Sequence, residues 1–344
     1  MNPTITTLIM LSLAAGTIIT ASSFHWFMAW VGLEINTLAI IPIISKLHHP
    51  RATEAATKYF LTQAAASALI LFSSMINAWQ SGMWDITQPS NPTSSILLTI
   101  AIAMKLGLAP THFWLPEVLQ GTTLTTALII STWQKLAPMT LIYLTMNNLS
   151  PTTLILIGTL STCVGGWGGI NQTQTRKIMA YSSIAHFGWM AAVSPMLTNI
   201  MLLYLIIYTL MTISMFTTLT MTKSKTIQNM TTTWTLSPAL ATITLLTLLS
   251  LGGLPPLSGF APKLLILNEL IHQNFIITTT IMTMSTLLSL FFYLRLTYTM
   301  ALTITPNSPN TTYKWRLTPP PSMSLTTTIP ITLLMLPITP ILTQ

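Results

Sequence analysis

Residues 136–175, 178–222 and 226–262 contain no Asp, Glu, Lys or Arg. Stretches of this kind cannot cover a water-soluble fold. Soluble domains carry about 25% charged residues, whereas this 344-residue chain carries 5%, with 51% hydrophobic residues. A membrane helix takes roughly 20 apolar residues, so each of the first two stretches is long enough for about two spans. The runs are continuous and do not alternate, which favours helices over a barrel. The expected fold is therefore an all-α polytopic membrane protein. The many threonines are compatible with it, because a threonine hydroxyl can bond a carbonyl of its own helix.

The few charges exclude other classes. The net charge of +8 comes from 13 basic and five acidic residues. The basic ones sit in short loops or singly in spans, which is the positive-inside pattern of membrane proteins rather than a nucleic-acid-binding arm. Cys163 is the only cysteine. This chain alone therefore makes no disulfide, no Cys-ligated iron–sulfur cluster and no Cys-x-x-Cys-His haem site. Residues 5–21 are apolar, but no Lys or Arg precedes Lys46. The segment lacks the charged start of a cleavable signal and reads as the first span.

Eleven spans are expected, near 3–22, 25–45, 56–80, 94–120, 123–146, 150–171, 177–194, 198–222, 237–271, 274–300 and 323–342. The fourth and ninth are interrupted. The fourth reads Lys105-Leu106-Gly107-Leu108-Ala109-Pro110-Thr111-His112-Phe113-Trp114-Leu115-Pro116, and the ninth Gly252-Gly253-Leu254-Pro255-Pro256-Leu257-Ser258-Gly259-Phe260-Ala261-Pro262-Lys263. Proline removes a backbone donor and clashes with the preceding turn. Carbonyls freed at membrane depth persist only where protein or a wet cavity satisfies them, so a lysine beside each break can be held by them. Breaks in corresponding places suggest two five-helix repeats, 1–147 and 148–301, followed by a loop and a last helix in 302–344. An odd number of helices inverts the second repeat, and paired broken helices point to a transport site. The loops holding Lys46, Arg51 and Lys58, Arg176 and Lys177, Lys223 and Lys225, and Lys314 and Arg316 fall on one side, while Asp85 falls on the other. This places the N-terminus inside and the C-terminus outside.

Ionisable groups inside spans are rare, and each marks a functional site by default. Glu34, Lys105, Lys135 and Lys263 are such groups. Glu34 has no cation near it in sequence, and Lys105 is its natural partner. Burial penalises a charged ammonium, which makes each lysine a possible proton carrier. The alternatives are a static ion pair for Glu34 and snorkelling to the interface for the lysines, most of all for Lys263. His112 and His186 are relay candidates, and Ser182 shares a helix face with His186. The adjacent pair His48-His49 is a poor chelator, and Glu54 and Glu117 lie close to loops. The run Gly165-Gly166-Trp167-Gly168-Gly169 lacks the spacing of a phosphate loop, whereas Gly165 and Gly169 fit a small-xxx-small helix contact.

The two broken-helix motifs, the stretch Ala180-Tyr181-Ser182-Ser183-Ile184-Ala185-His186-Phe187-Gly188-Trp189 and the start Met1-Asn2-Pro3 resemble the antiporter-like membrane subunits of respiratory complex I, in their animal mitochondrial form. The likeness covers the whole chain. It implies a subunit that couples NADH:ubiquinone electron transfer to proton translocation through Glu34 with Lys105, then Lys135, then Lys263. His112 and His186 would be connecting groups, and Ser182 and Tyr181, in the same stretch as His186, are further possible relay residues. It implies no cofactor in this chain, with flavin, iron–sulfur clusters and ubiquinone handled by other subunits. The implied partners are other membrane-arm subunits, both antiporter-like and small hydrophobic ones, and phospholipids such as cardiolipin. The family's usual fourteen helices exceed the eleven counted here, so a neighbouring subunit would cover one flank of the first repeat. The implied location is the inner mitochondrial membrane, with the N-terminus in the matrix and the C-terminus in the intermembrane space. Two other readings stay open: a stand-alone cation/proton antiporter, and a structural membrane-arm subunit that does not pump.

Overall fold

The computed structural model describes residues 3–87, 91–302 and 323–340. Those residues are helical almost throughout. Their only extended pairings are two isolated bridges, His25 with Asp85 and Gln174 with Thr226. The chain divides into two compact units, Met1–Ser161 with Ser194–Thr198, and Thr162–Val193 with Asn199–Gln344.

The first unit holds α1 (Pro3–Ser22), α2 (Trp26–Ile44), α3 (Pro50–Ser81), α4 (Pro92–Leu106), α5 (Trp114–Gly121), α6 (Leu124–Ser131), α7 (Trp133–Thr145) and the start of α8 (Pro151–Gly169). Local chemistry sets the ends. His49 caps α3 by accepting the Arg51 N–H, and Pro50 occupies the first turn, where a missing N–H does no harm. At about 1.5 Å per residue, this 32-residue helix is longer than the hydrocarbon core. It starts earlier than the expected span, and its first turns carry Arg51, Glu54 and Lys58 beyond the apolar part. Helix α2 packs against α1 and α3, and α3 also packs against α4 and α5.

The expected interruption between α4 and α5 is present. Gly107, at φ +70°, ends α4 in the left-handed conformation that glycine adopts without strain. A second interruption was not expected. The span near 123–146 is split at Thr132 into α6 and α7. The Ser131 and Thr132 hydroxyls both bond the Leu128 carbonyl, at 3.0 and 2.7 Å, alongside the Thr132 N–H, which reaches the same carbonyl at 3.0 Å.

The second unit holds the rest of α8, then α9 (Thr175–Val193), α10 (Thr198–Thr222), the short α11 (Ile227–Thr231) and α12 (Thr233–Leu236), α13 (Pro238–Gly252), α14 (Phe260–His272), α15 (Ile276–Leu302) and α16 (Met323–Leu334). Here α13 ends at Gly253, φ +81°, and α14 resumes after the Pro255-Pro256 turn. Helix α15 packs against α9, α13 and α14, and α16 packs against α13. The Ser258 hydroxyl donates to the Thr332 carbonyl, fastening the break to α16. The expected loop with Lys314 and Arg316 lies outside the described residues, as do residues 1–2 and 341–344.

Five of these helices, α1, α2, α3, α10 and α15, are long and apolar enough to cross a membrane, and α4, α13 and the described end of α16 are shorter apolar helices. Their outward faces are apolar: Leu8, Leu11 and Ile18 on α1, and Ile277, Met284 and Leu287 on α15 are exposed. Threonines inside the spans bond carbonyls three or four residues back, as Thr17, Thr99, Thr212 and Thr286 do.

Candidate functional site

In the first unit Glu34 stands half-buried on α2. Its Oε1 accepts from the Ser67 hydroxyl and its Oε2 from the Thr37 hydroxyl at 3.0 Å. It borders an apolar groove of about 280 Å³ whose walls include Trp30, Ala68, Phe72 and Met75. Lys105, the natural partner by sequence, is 4% exposed, and its ammonium meets no hydrogen-bond partner. The two charges act on one another but form no ion pair. Hydroxyls bond both carboxylate oxygens, and the lysine ammonium bonds neither.

Lys135, on α7, is 2% exposed. Its Nζ donates to the Leu106 carbonyl at 2.6 Å and lies 5.0 Å from the centre of the Trp114 ring. Leu106 is the last residue of α4 and Trp114 the first of α5. The break thus provides a freed carbonyl and an aromatic face, both suited to an ammonium. The Trp114 indole N–H donates back to the Met104 carbonyl at 3.2 Å and closes the gap. The acceptor expected to hold the lysine beside the break instead holds one from another helix.

In the second unit Lys263 is 8% exposed, and its Nζ donates to the Gly252 carbonyl at 3.0 Å. A β-carbon on Gly253 would lie 2.9 Å from that Nζ. Glycine is therefore required there twice, for its positive φ and for the passage of the lysine. His186 is buried on α9, close enough to Lys263 for their charges to interact, and its Nδ1 shares a 2.9 Å hydrogen bond with the Tyr204 hydroxyl. Tyr208 packs against the same imidazole, with ring centres 5.3 Å apart.

The other candidates are less central. Ser182 bonds the Met179 carbonyl of its own helix and neighbours Tyr293. The ring of Tyr181 lies against Gly168 of α8, where a β-carbon would collide with it. His112 sits in the first break, with its Nδ1 3.2 Å from the Pro110 carbonyl and its ring against Phe113. Lys58 joins Glu54 at 2.5 Å and Glu117 at 2.6 Å in an exposed triad that ties α3 to α5. Asn36, Gln63 and Gln134, and Tyr204, Tyr208 and Tyr293, also stand at these centres but were not among the expected site residues. Amides inside apolar spans were the available signal for the first group. Nothing separates the tyrosines from interfacial aromatics before the helices are packed.

Known proteins resemble the chain over its length. The family described as NADH:quinone oxidoreductase/Mrp antiporter, TM, matches residues 23–289, and the one described as NADH dehydrogenase subunit 2 C-terminus matches residues 290–343. A protein of Anas capensis named NADH-ubiquinone oxidoreductase chain 2 is 54% identical over 340 residues, covering 99% of this chain and 98% of its own. A protein of the same name from Polypterus ornatipinnis is 58% identical over 256 residues, 74% of each chain. Among solved structures, a chain of respiratory complex I from Thermus thermophilus with bound aureothin superposes with a TM-score of 0.84 at 26% identity, covering 97% of this chain and 79% of that one. A chain of the Mrp complex from a Dietzia species shares the fold, with a TM-score of 0.80 at 14% identity and coverage of 97% and 75%.

Proposed function

The chain belongs to the NADH:quinone oxidoreductase/Mrp antiporter transmembrane family, and from that premise we propose that its buried lysines form the proton relay of a respiratory membrane arm. It is a multi-pass, proton-translocating subunit of the enzyme complex NADH–ubiquinone oxidoreductase, with other membrane-arm subunits as partners in an inner membrane. The relay is our reading of its residues. Lys105 and Lys135 form the first charge centre, with Glu34 biasing Lys105, and Lys263 with His186 forms the second. Quinone reduction elsewhere in the complex changes the charge beside Glu34, draws Lys105 towards or away from it, and alters the proton affinity of Lys135. The proton then passes on to Lys263 and leaves on the outer side.

One observation supports this most. Lys135 and Lys263 are buried within the helices and held by backbone carbonyls at helix breaks. A neutral carbonyl tolerates both the ammonium and the amine, whereas a tight carboxylate pair would lock the charge on.

The wider layout belongs to the same reading. It has eleven spans, two inverted five-helix repeats over 1–147 and 148–301, a final loop and helix, and the N-terminus in the matrix with the C-terminus in the intermembrane space. Flavin, iron–sulfur and quinone chemistry lie in other subunits, cardiolipin-type lipids line the outside, and nucleic acid has no part. The test is Lys135→Met in the whole complex, reconstituted in proteoliposomes, with protons translocated per NADH as the readout. The relay predicts a fall. Unchanged pumping refutes its central step and favours a structural subunit, and cation exchange by the isolated chain would favour a stand-alone antiporter.

A further inference from the structure

Asn36, Gln63 and Gln134 stand on α2, α3 and α7 around one small cavity of the first unit, which Lys105 and Lys135 also line. The cavity has about 10 Å³ for the centre of a water, room for about one molecule. Asn36 and Gln63 are 2% and 4% exposed. Five polar atoms here have no hydrogen-bond partner within the protein: Asn36 Oδ1 and Nδ2, Gln63 Nε2, Gln134 Nε2 and Lys105 Nζ. Buried polar groups are nearly always bonded, to protein or to ordered water.

The packing puts these amides in place. A β-carbon on Gly16 of α1 would lie 2.5 Å from Asn36 Oδ1, so glycine at 16 leaves the space that this amide occupies. The Tyr59 hydroxyl donates to Gln134 Oε1 at 3.4 Å, which leaves Gln134 Nε2 for another partner.

We propose that Asn36, Gln63 and Gln134 are positioning residues that hold one water between Lys105 and Lys135, and that protons cross between the two lysines through it. The inference rests on the relay proposed above. In the step, an N–H bond of the Lys105 ammonium breaks as its proton joins the water oxygen. An O–H bond of the same water breaks as its proton joins the neutral Lys135 amine. The water is regenerated, the charge has moved from Lys105 to Lys135, and no amide gains or loses a proton.

The test uses the whole complex. Gln63→Met keeps the length of the side chain and removes its hydrogen bonds. Losing one bond to the bridging water should slow NADH-driven proton translocation roughly five- to tenfold. Lys135→Met, run alongside, separates the two claims. If Lys135→Met lowers pumping while Gln63→Met leaves it unchanged, the relay stands and the cradle is refuted. If neither variant has an effect, the relay itself has failed. Should Gln63→Met prevent assembly, an electron-microscopy map of the wild-type complex that resolves waters decides. One water within hydrogen-bond reach of Asn36, Gln63 and a lysine supports the proposal, and a dry cavity overturns it.

Discussion

The two helix breaks hold their lysines differently. Each begins with a left-handed glycine, Gly107 or Gly253, and each leaves a carbonyl that an ammonium takes. At the first break the lysine comes from another helix, because Lys135 of α7 reaches Leu106. Lys105, on the broken helix itself, has no hydrogen-bond partner and stands among amides with unused bonding capacity. At the second break the lysine comes from the same broken span, eleven residues on, and its neighbourhood is aromatic, with His186 already bonded to Tyr204. A broken helix thus offers a carbonyl acceptor inside an apolar span, and the surrounding elements decide which lysine takes it and what stands nearby: Trp114 and three amides at the first break, His186 and its tyrosines at the second.

The strongest way to break this comparison is to remove each lysine in turn. Lys135→Met should slow proton translocation by roughly 100-fold, the low end for loss of a positioned acid–base group. It also leaves the Leu106 carbonyl unbonded, at a cost of about 1–3 kcal/mol of stability. Lys263→Met should match it if the centres work in series, and a normal proton yield per NADH in that variant would take the second break out of the path. Exchange of the capping glycines comes next. Gly253→Ala and Gly107→Ala should each cost about 1–2 kcal/mol for a β-carbon at positive φ, read as a lower temperature of inactivation. Gly253→Ala should also impair pumping, since its β-carbon meets Lys263 itself, and Gly107→Ala should do so less, since its β-carbon meets Leu115 and the Trp114 ring beside Lys135. Tyr204→Phe should cost about 0.5–1.5 kcal/mol and slow pumping less than Lys263→Met does. An equal effect would make the tyrosine hydroxyl part of the path. The smallest change is expected from Glu117→Gln, which weakens the exposed Lys58 triad. Proton yield should be unaltered, and any loss of stability should vanish in high salt.

The elements themselves were largely legible. Expected spans near 3–22, 25–45, 150–171 and 198–222 correspond to α1, α2, α8 and α10, because lipid demands long apolar runs and forbids unpaired backbone. The proline- and glycine-rich breaks were legible for the same reason. The split at Thr132 was not, because the Ser131 and Thr132 hydroxyls bond their own helix just as most threonines in this chain do without breaking it. The candidate lysines were conspicuous as charges in apolar sequence. Glu34 and Lys105 look paired in sequence, yet Ser67 and Thr37 hold the carboxylate instead, and neither hydroxyl is distinguishable from the chain's many others. The amides were visible, but a buried amide is usually just satisfied by a neighbour, and only packing reveals three with an N–H group left unbonded.

The sequence by itself determined that this chain lives in a membrane, that two of its spans are broken and that three lysines and a glutamate lie within apolar stretches. These are local or compositional facts, set by transfer free energy and by the backbone chemistry of proline and glycine. Only the tertiary structure decided which lysine takes which carbonyl, that Glu34 and Lys105 stand apart, and that Asn36, Gln63 and Gln134 surround a space for one water. Those outcomes depend on how side chains from helices distant in sequence meet across a few ångströms, and no local pattern encodes that.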